Sequence, residues 1–225
     1  MLLVIPDILS QTKLSEIQAI LAKAVFVDGR LSAGGHAVRV KHNQELPPQA
    51  EQQQRLNQLL MNTLVQHPQF QQAALPHRIA SPFYARYSQG QAYGDHIDDP
   101  VMGPAPAQRY RSDISCTVFL NSPEAYAGGE LVIRTTFGTQ SVKLPAGHAV
   151  IYPSSSLHHV SEVTAGERLV AVTWIQSLIR DPARRELLYE LSQARDSLMQ
   201  SQPDAEVTNQ VDHSYVNLIR MWSEI

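Results

Sequence analysis

The sequence predicts a mainly β fold with flanking α-helices, and three features of its patterning predict it. Between Ser81 and Ile175 short runs alternate with the period of two that half-buried strands show. Turn-forming residues separate these runs: Gly90, Asn121-Ser122-Pro123, Gly128-Gly129, Pro145-Ala146-Gly147 and Pro153. On either side of this tract the apolar spacing becomes helical. Short antiparallel strands in this arrangement make a sandwich or barrel, and a double-stranded β-helix, or jelly roll, fits it. The expected organisation is an N-terminal helical and β support region over residues 1–77, a jelly-roll core over 78–178 and a C-terminal helical tail over 179–225.

Leu2 to Ile5 reads as a short buried strand closed by Pro6. Ser10 or Thr12 can cap a helix running to about Val25, with Leu14, Ile17, Ile20 and Leu21 at helical spacing. Val38 and Val40 suggest a strand after the Gly34-Gly35 turn, leading into a polar loop from Lys41 to Leu46. Pro47-Pro48 opens a second helix striped by Leu56, Leu59, Leu60, Leu64 and Val65, whose glutamine-rich opposite face is solvated.

In the core, Phe83, Ala85 and Tyr87 share one face of a strand ending at Gly90. Arg109 to Leu120 alternates again, Glu130–Arg134 and Thr139–Leu144 pair as a hairpin, and His148 to Tyr152 follows as a short strand. Arg168 to Ile175 is apolar on both faces, as a strand inside a sandwich is. Asp181-Pro182 supplies a cap and a first-turn proline for a helix bearing Leu187, Leu188, Leu191 and Leu198. A last helix carries Val211, Tyr215, Leu218, Ile219 and Trp222. This tail is apolar enough to pack on its own domain or to form a homodimer contact.

Composition removes several classes of function. A formal net charge of −3 over 225 residues provides no electrostatic basis for nucleic acid or anionic membranes as partners. One cysteine, Cys116, excludes an intramolecular disulfide and a cysteine-rich zinc site, and its place in an alternating strand reads as a buried small hydrophobe. Met1 to Pro6 lacks the basic segment and length of a secretory leader, and no run of eighteen apolar residues follows, so the cytoplasm is the expected compartment. The chain has no P-loop, no Gly-x-Gly-x-x-Gly, no His-Glu-x-x-His and no Gly-x-Ser-x-Gly elbow around Ser154-Ser155-Ser156.

The chemistry concentrates in two stretches. In extended backbone His96 and Asp98 share a face with Ile97 turned away, which supplies two of the three ligands of a two-histidine-one-carboxylate iron triad. The third can come from His158 or from the adjacent His159, since only one of the two can face the same side. Arg168 opens an apolar strand, so its guanidinium is drawn inward and requires an anion: a protein carboxylate or a bound acidic co-substrate. His148 reads as structural, and His36, His42, His67, His77 and His213 have no ligand-like neighbours. The Pro- and Gly-rich stretch Asp99 to Arg111 reads equally as a substrate-facing lid or as a connection between strands.

Tyr87, Gly90, Tyr93, Gly94, His96-x-Asp98, and later His158-x-Val160-x-x-Val163-x-x-Gly166-x-Arg168, stand in an order that packing alone does not require. Here the chain resembles Fe(II)/2-oxoglutarate-dependent dioxygenases of the prolyl-4-hydroxylase-like branch, and more narrowly the bacterial PKHD-type hydroxylases. The motif-bearing likeness runs from about Pro82 to Gln176. It implies His96, Asp98 and His158 as iron ligands, Arg168 as anchor for the distal carboxylate of 2-oxoglutarate, and Tyr87 as a co-substrate contact. It favours His158 over His159 through the spacing to Arg168. It further implies hydroxylation with O2, release of succinate and CO2, L-ascorbate as a reductant, and a peptide or protein side chain, or a small molecule, as substrate. A non-catalytic jelly-roll module that binds a partner through the helical tail, and a cupin-like metal enzyme with another ligand set, are the competing readings.

Overall fold

The alternating tract forms two antiparallel sheets facing each other in the computed structural model, which describes residues 1–35 and 37–225. His36, expected to bind no metal, lies outside the described residues. The N-terminal elements are β1 (Leu3–Ile5), α1 (Gln11–Leu21), β2 (Val27–Asp28), α2 (Ala37–Val40), β3 (Lys41–His42), β4 (Gln44–Glu45), α3 (Gln53–Leu64) and α4 (Pro68–Ala74). Next come β5 (Pro76–Ile79), β6 (Phe83–Ser88), β7 (Ala92–His96), β8 (Val101–Met102), β9 (Tyr110–Arg111) and β10 (Ile114–Phe119). The chain continues through β11 (Tyr126–Gly128), β12 (Leu131–Thr135), β13 (Gly138–Val142), β14 (Ala149–Pro153), β15 (His158–Val160) and β16 (Val163–Ser177). It ends in α5 (Pro182–Ser201) and α6 (Glu206–Trp222).

The major sheet runs β1-β14-β10-β16-β6-β4-β2, with β5 and β11 also paired to β16, and the minor sheet runs β13-β12-β15-β7-β3. Strand period two gives the major sheet two different faces. Cys116, Val118, Ile151, Leu169, Ala171 and Ile175 face outward and form one core with the apolar stripes of α1, α3 and α4, including Ile17, Leu60 and Phe70. The alternate residues Ala85, Phe119, Val150 and Val170 face the minor sheet and meet Leu131, Ile133 and Val160. The helices thus back the major sheet, while the gap between the sheets is left for a cavity.

Several N-terminal expectations are corrected. Val38 and Val40 lie in the short helix α2, not in a strand, because this segment turns across β7. A Cβ on Gly94 of β7 would sit 2.9 Å from the Cβ of Val40, so only glycine allows that approach. The first helix stops at Leu21, short of Val25, and Pro47-Pro48 opens a turn before α3 begins at Gln53. The seven-residue α4, with Pro68 in its first turn, was not anticipated. The expected polar loop Lys41 to Leu46 holds the two short strands β3 and β4, and Lys41, Asn43 and Glu45 are buried.

The tail follows its sequence signals closely. Asp181 caps α5 by accepting from the backbone N–H of Ala183 at 2.7 Å and of Arg184 at 3.1 Å. Helices α5 and α6 close on Ile179, Leu188 and Tyr215 as a separate small core. They dock on their own chain: Gln69 Nε2 donates to Tyr189 Oη at 3.1 Å, and Gln72 Nε2 donates to Asp196 Oδ2 at 2.6 Å. No helix among the described residues is long and apolar enough to cross a membrane. Leu188 is fully buried in that core, so Leu188→Ala is expected to lower unfolding stability by about 2–5 kcal/mol. Urea denaturation followed by far-ultraviolet circular dichroism measures the loss.

Candidate functional site

Antiparallel register places the two histidines of the candidate triad opposite each other. His96 at the end of β7 pairs with His158 at the start of β15, and their ring centroids are 4.2 Å apart. Between this pair and the next, Val160 with Tyr93, β7 carries one residue more than β15. Such a bulge re-aims side chains. It brings Tyr93 onto the face of His96, where the two rings stack at 3.6 Å and 11°.

Both imidazoles are buried and set in the same tautomer by the backbone. His96 Nδ1 lies 2.8 Å from the Gly94 carbonyl, and His158 Nδ1 lies 2.9 Å from the Ser156 carbonyl. A carbonyl only accepts, so each Nδ1 carries the proton and each Nε2 keeps its lone pair. Burial, with the nearby His158 adding to it, holds the His96 imidazole down to about 4, which keeps it neutral near pH 7. Asp98 lies just beyond β7, and Ser115 on the major sheet donates Oγ–H to its Oδ2 at 2.5 Å. Ser115 is in turn 2.8 Å from Ser154 Oγ. The other carboxylate oxygen, Oδ1, is 3.9 Å from Nε2 of each histidine. One ligand atom from each of the three residues lies within 4.8 Å of the others. Two imidazole nitrogens and one oriented carboxylate form the donor set that suits ferrous iron with open positions. Ile97 is turned away and is 55% exposed.

Strand alternation separates the paired histidines as well. His159 points to the opposite side, with Nδ1 2.8 Å from Asp95 Oδ1, while Arg134 Nη2 donates to Asp95 Oδ2 at 2.7 Å. Among the described residues, His96, Asp98 and His158 are the group of potential ligands that converges. His148 has a structural contact, its Nδ1 accepting from the Asp7 backbone N–H at 3.2 Å. The Cys116 thiol is buried and pushed up to about 12 by desolvation, which leaves it inert.

The major sheet supplies the second half of the site. Arg168 on β16 pairs in register with Tyr87 on β6, and its guanidinium carbon lies 5.0 Å from the Tyr87 ring centroid and 5.6 Å from that of Phe119. Arg168 is 1% exposed, and its Nε has no hydrogen-bond partner. No carboxylate among the described residues lies within 4.0 Å of it. An unpaired buried cation costs several kcal/mol, a cost that a small anion bound beside it would offset. Burial pushes the Tyr87 phenol up to about 12, and it stays a neutral hydrogen-bond donor.

His96, Asp98, His158, Tyr87 and Arg168 all line one cavity of about 710 Å³ between the sheets. Part of its lining is apolar, from Phe83, Trp174, Val101, Met102 and Tyr110. The Asp99 to Arg111 stretch is therefore both a connection and part of the wall, folded as the small β8–β9 hairpin. Lys41 and Glu45 line the same cavity. Sequence inspection misses them because a period-two pattern of polar residues carries no hydrophobic signal.

Comparison with known proteins agrees with this geometry. Residues 82–176 match the model of the 2OG-Fe(II) oxygenase superfamily, and residues 182–224 match that of the PKHD-type hydroxylase C-terminal domain. A PKHD-type hydroxylase of Thioalkalivibrio sulfidiphilus is 56% identical over 225 residues, covering 100% of both chains. One from Klebsiella pneumoniae is 44% identical and covers 98% of each chain. Among solved structures, a Trichoplax adhaerens prolyl hydroxylase in complex with a hypoxia inducible factor peptide fragment superposes with a TM-score of 0.60 at 16% identity, covering 83% of this chain and 86% of that one. A Pseudomonas putida prolyl-4-hydroxylase gives 0.53 at 19% identity, covering 78% and 92%. These two likenesses bear on the fold, which is that of the jelly-roll oxygenases. The full-length identity to named relatives bears on the family: the chain belongs to the PKHD-type hydroxylases of the 2OG-Fe(II) oxygenase superfamily and is a 2-oxoglutarate-dependent dioxygenase.

Proposed function

We propose that His96, Asp98 and His158 hold the iron, and that Arg168, with Tyr87 beside it, receives the distal carboxylate of 2-oxoglutarate. The observation that carries this assignment is the buried Arg168 guanidinium without a protein anion, opening on the cavity that the three ligand atoms share. Iron bound there supplies oxidative decarboxylation of 2-oxoglutarate by O2, giving succinate and CO2, coupled to hydroxylation of a C–H bond.

The chain's own part is binding, orientation and shielding. Arg168 and Tyr87 fix one end of the diacid by charge and by a neutral phenolic donor. The backbone carbonyls of Gly94 and Ser156 keep both imidazoles in the ligating tautomer, and Ser115 fixes the Asp98 carboxylate. Tyr152 and Phe119 pack behind the site and exclude water from it. The apolar part of the lining, from Phe83, Trp174 and the β8–β9 hairpin, supports a peptide or protein side chain as substrate. Ascorbate is the reductant that suits such a centre, and a single buried free thiol suits the reducing cytoplasm. The catalytic core is assigned to residues 78–178, flanked by a support region and a helical extension.

Succinate formation from 2-oxoglutarate with Fe(II) and O2 is expected in the wild type and reduced at least 100-fold in Asp98→Ala. Arg168→Met is expected to raise the KM for 2-oxoglutarate at least 10-fold, a magnitude on the order of one lost charge-assisted pair. Wild-type rates and KM in both variants would remove the assignment.

The depressed His96 also sets a pH dependence. The unfolded chain takes up this proton near 6.5, the folded chain only near about 4. Protons therefore favour the unfolded state between these values, and stability present above pH 6.5 is lost as pH falls towards 4. Urea denaturation of chelator-stripped protein between pH 7 and 4.5 should show this loss, with a shallower slope in His96→Gln.

A further inference from the structure

A buried ion pair stands in the N-terminal wall of the cavity with no task in the chemistry above. Lys41 Nζ lies 2.5 Å from Glu45 Oε1, with side chains only 8% and 9% exposed. Ser32 bridges the two: Lys41 Nζ donates to its Oγ at 2.8 Å, and that hydroxyl donates to Glu45 Oε2 at 2.5 Å. All three residues line the cavity. Desolvation offsets much of the attraction in such a pair, so stability alone is a weak reason for it.

The surroundings of Lys41 give a stronger reason. Strand β3 pairs with β7 so that Lys41 is the register partner of Tyr93, and its ammonium lies 5.4 Å from the Tyr93 ring centroid. That ring lies flat on the imidazole of His96, at 3.6 Å and 11°. His158 has no such plate, since Tyr152 meets it edge-on at 5.1 Å and 68°. The His96 ring is thus held at Nδ1 by the Gly94 carbonyl and covered on one face by Tyr93, whose ring in turn lies within cation–π reach of Lys41.

Resting on the assignment of His96 as a metal ligand, we propose that Lys41, clamped by Glu45 and Ser32, is a positioning residue for His96. It acts through the ring of Tyr93 and raises the affinity of the site for its divalent cation. Outer partners of metal ligands typically change affinity by about 10- to 100-fold. The N-terminal region, outside the matched oxygenase residues 82–176, thereby contributes to the metal centre.

The test is titration of the full chain with Co(II) alone, read by calorimetry and by the ligand-field absorbance of the bound ion. Lys41→Met combined with Glu45→Gln removes both charges together and leaves no stranded carboxylate. This variant and Tyr93→Leu should each weaken Co(II) binding about 10-fold or more and shift the absorbance. Combining all three changes should weaken it no further, because the residues act in series. Lys41→Arg should restore affinity to near the wild-type value. Lys41→Gln removes the cation and leaves Glu45 in place; the same loss is expected there, and wild-type affinity in this folded variant would equally overturn the proposal. Wild-type affinity and spectrum in a folded charge-free variant would overturn the proposal, as would additive losses with Tyr93→Leu. Wild-type Co(II) affinity in His96→Ala would instead overturn the ligand assignment beneath it.

Discussion

Strand register is the constraint on which the site depends. Two cross-strand pairs, His96 with His158 on the minor sheet and Tyr87 with Arg168 on the major sheet, put the functional side chains into the gap between the sheets. A slip of one residue in either pairing would turn its whole set of side chains to the opposite face. On the minor sheet that slip would exchange His158 for His159, whose imidazole meets Asp95 on the other side. The bulge in β7 adds a local correction to the register and lays Tyr93 against His96. Helix packing on the outer face of the major sheet secures this arrangement by making the opposite face of each central strand a committed core.

Charge placement follows from the same geometry. The gap between the sheets holds one cation with a protein partner, Lys41, and one without, Arg168. The unpartnered guanidinium lies deep, against Tyr87 and Phe119, and Gly129 gives it room: a Cβ there would sit 3.1 Å from Arg168 Cδ. Burial makes an unpaired charge costly, so a small anion bound beside Arg168 would stabilise the arrangement. The imidazoles of His96 and His158 and the Asp98 carboxylate held by Ser115 converge elsewhere on the same cavity.

Much of this was legible in the residues themselves. The strand pattern from Ser81 onward, the inward Arg168 and the His96-x-Asp98 unit depend on period-two alternation, a local property. Which of His158 and His159 shares a face with His96 depends on pairing with a distant strand, which local patterning does not specify. Val38 and Val40 carry strand propensity but fold as a helical turn against Gly94, an instance of tertiary contact overriding local preference. Lys41, Asn43 and Glu45 alternate as a strand does, but Lys41 and Glu45 are buried as an ion pair and none of the three is apolar, so the stretch resembles a loop. The helical tail was the easiest to place, since the Asp181 cap and Pro182 act within a single turn.

The central claim is that three side chains distant in sequence share one metal ion while Arg168 faces the far end of a diacid. A crystal structure with Mn(II) and 2-oxoglutarate, phased at the metal's absorption edge, tests it most directly. The account predicts one anomalous peak bounded by His96 Nε2, Asp98 Oδ1 and His158 Nε2, with the distal carboxylate of 2-oxoglutarate on the Arg168 guanidinium. A metal held by His159, or a diacid bound away from Arg168, would contradict it.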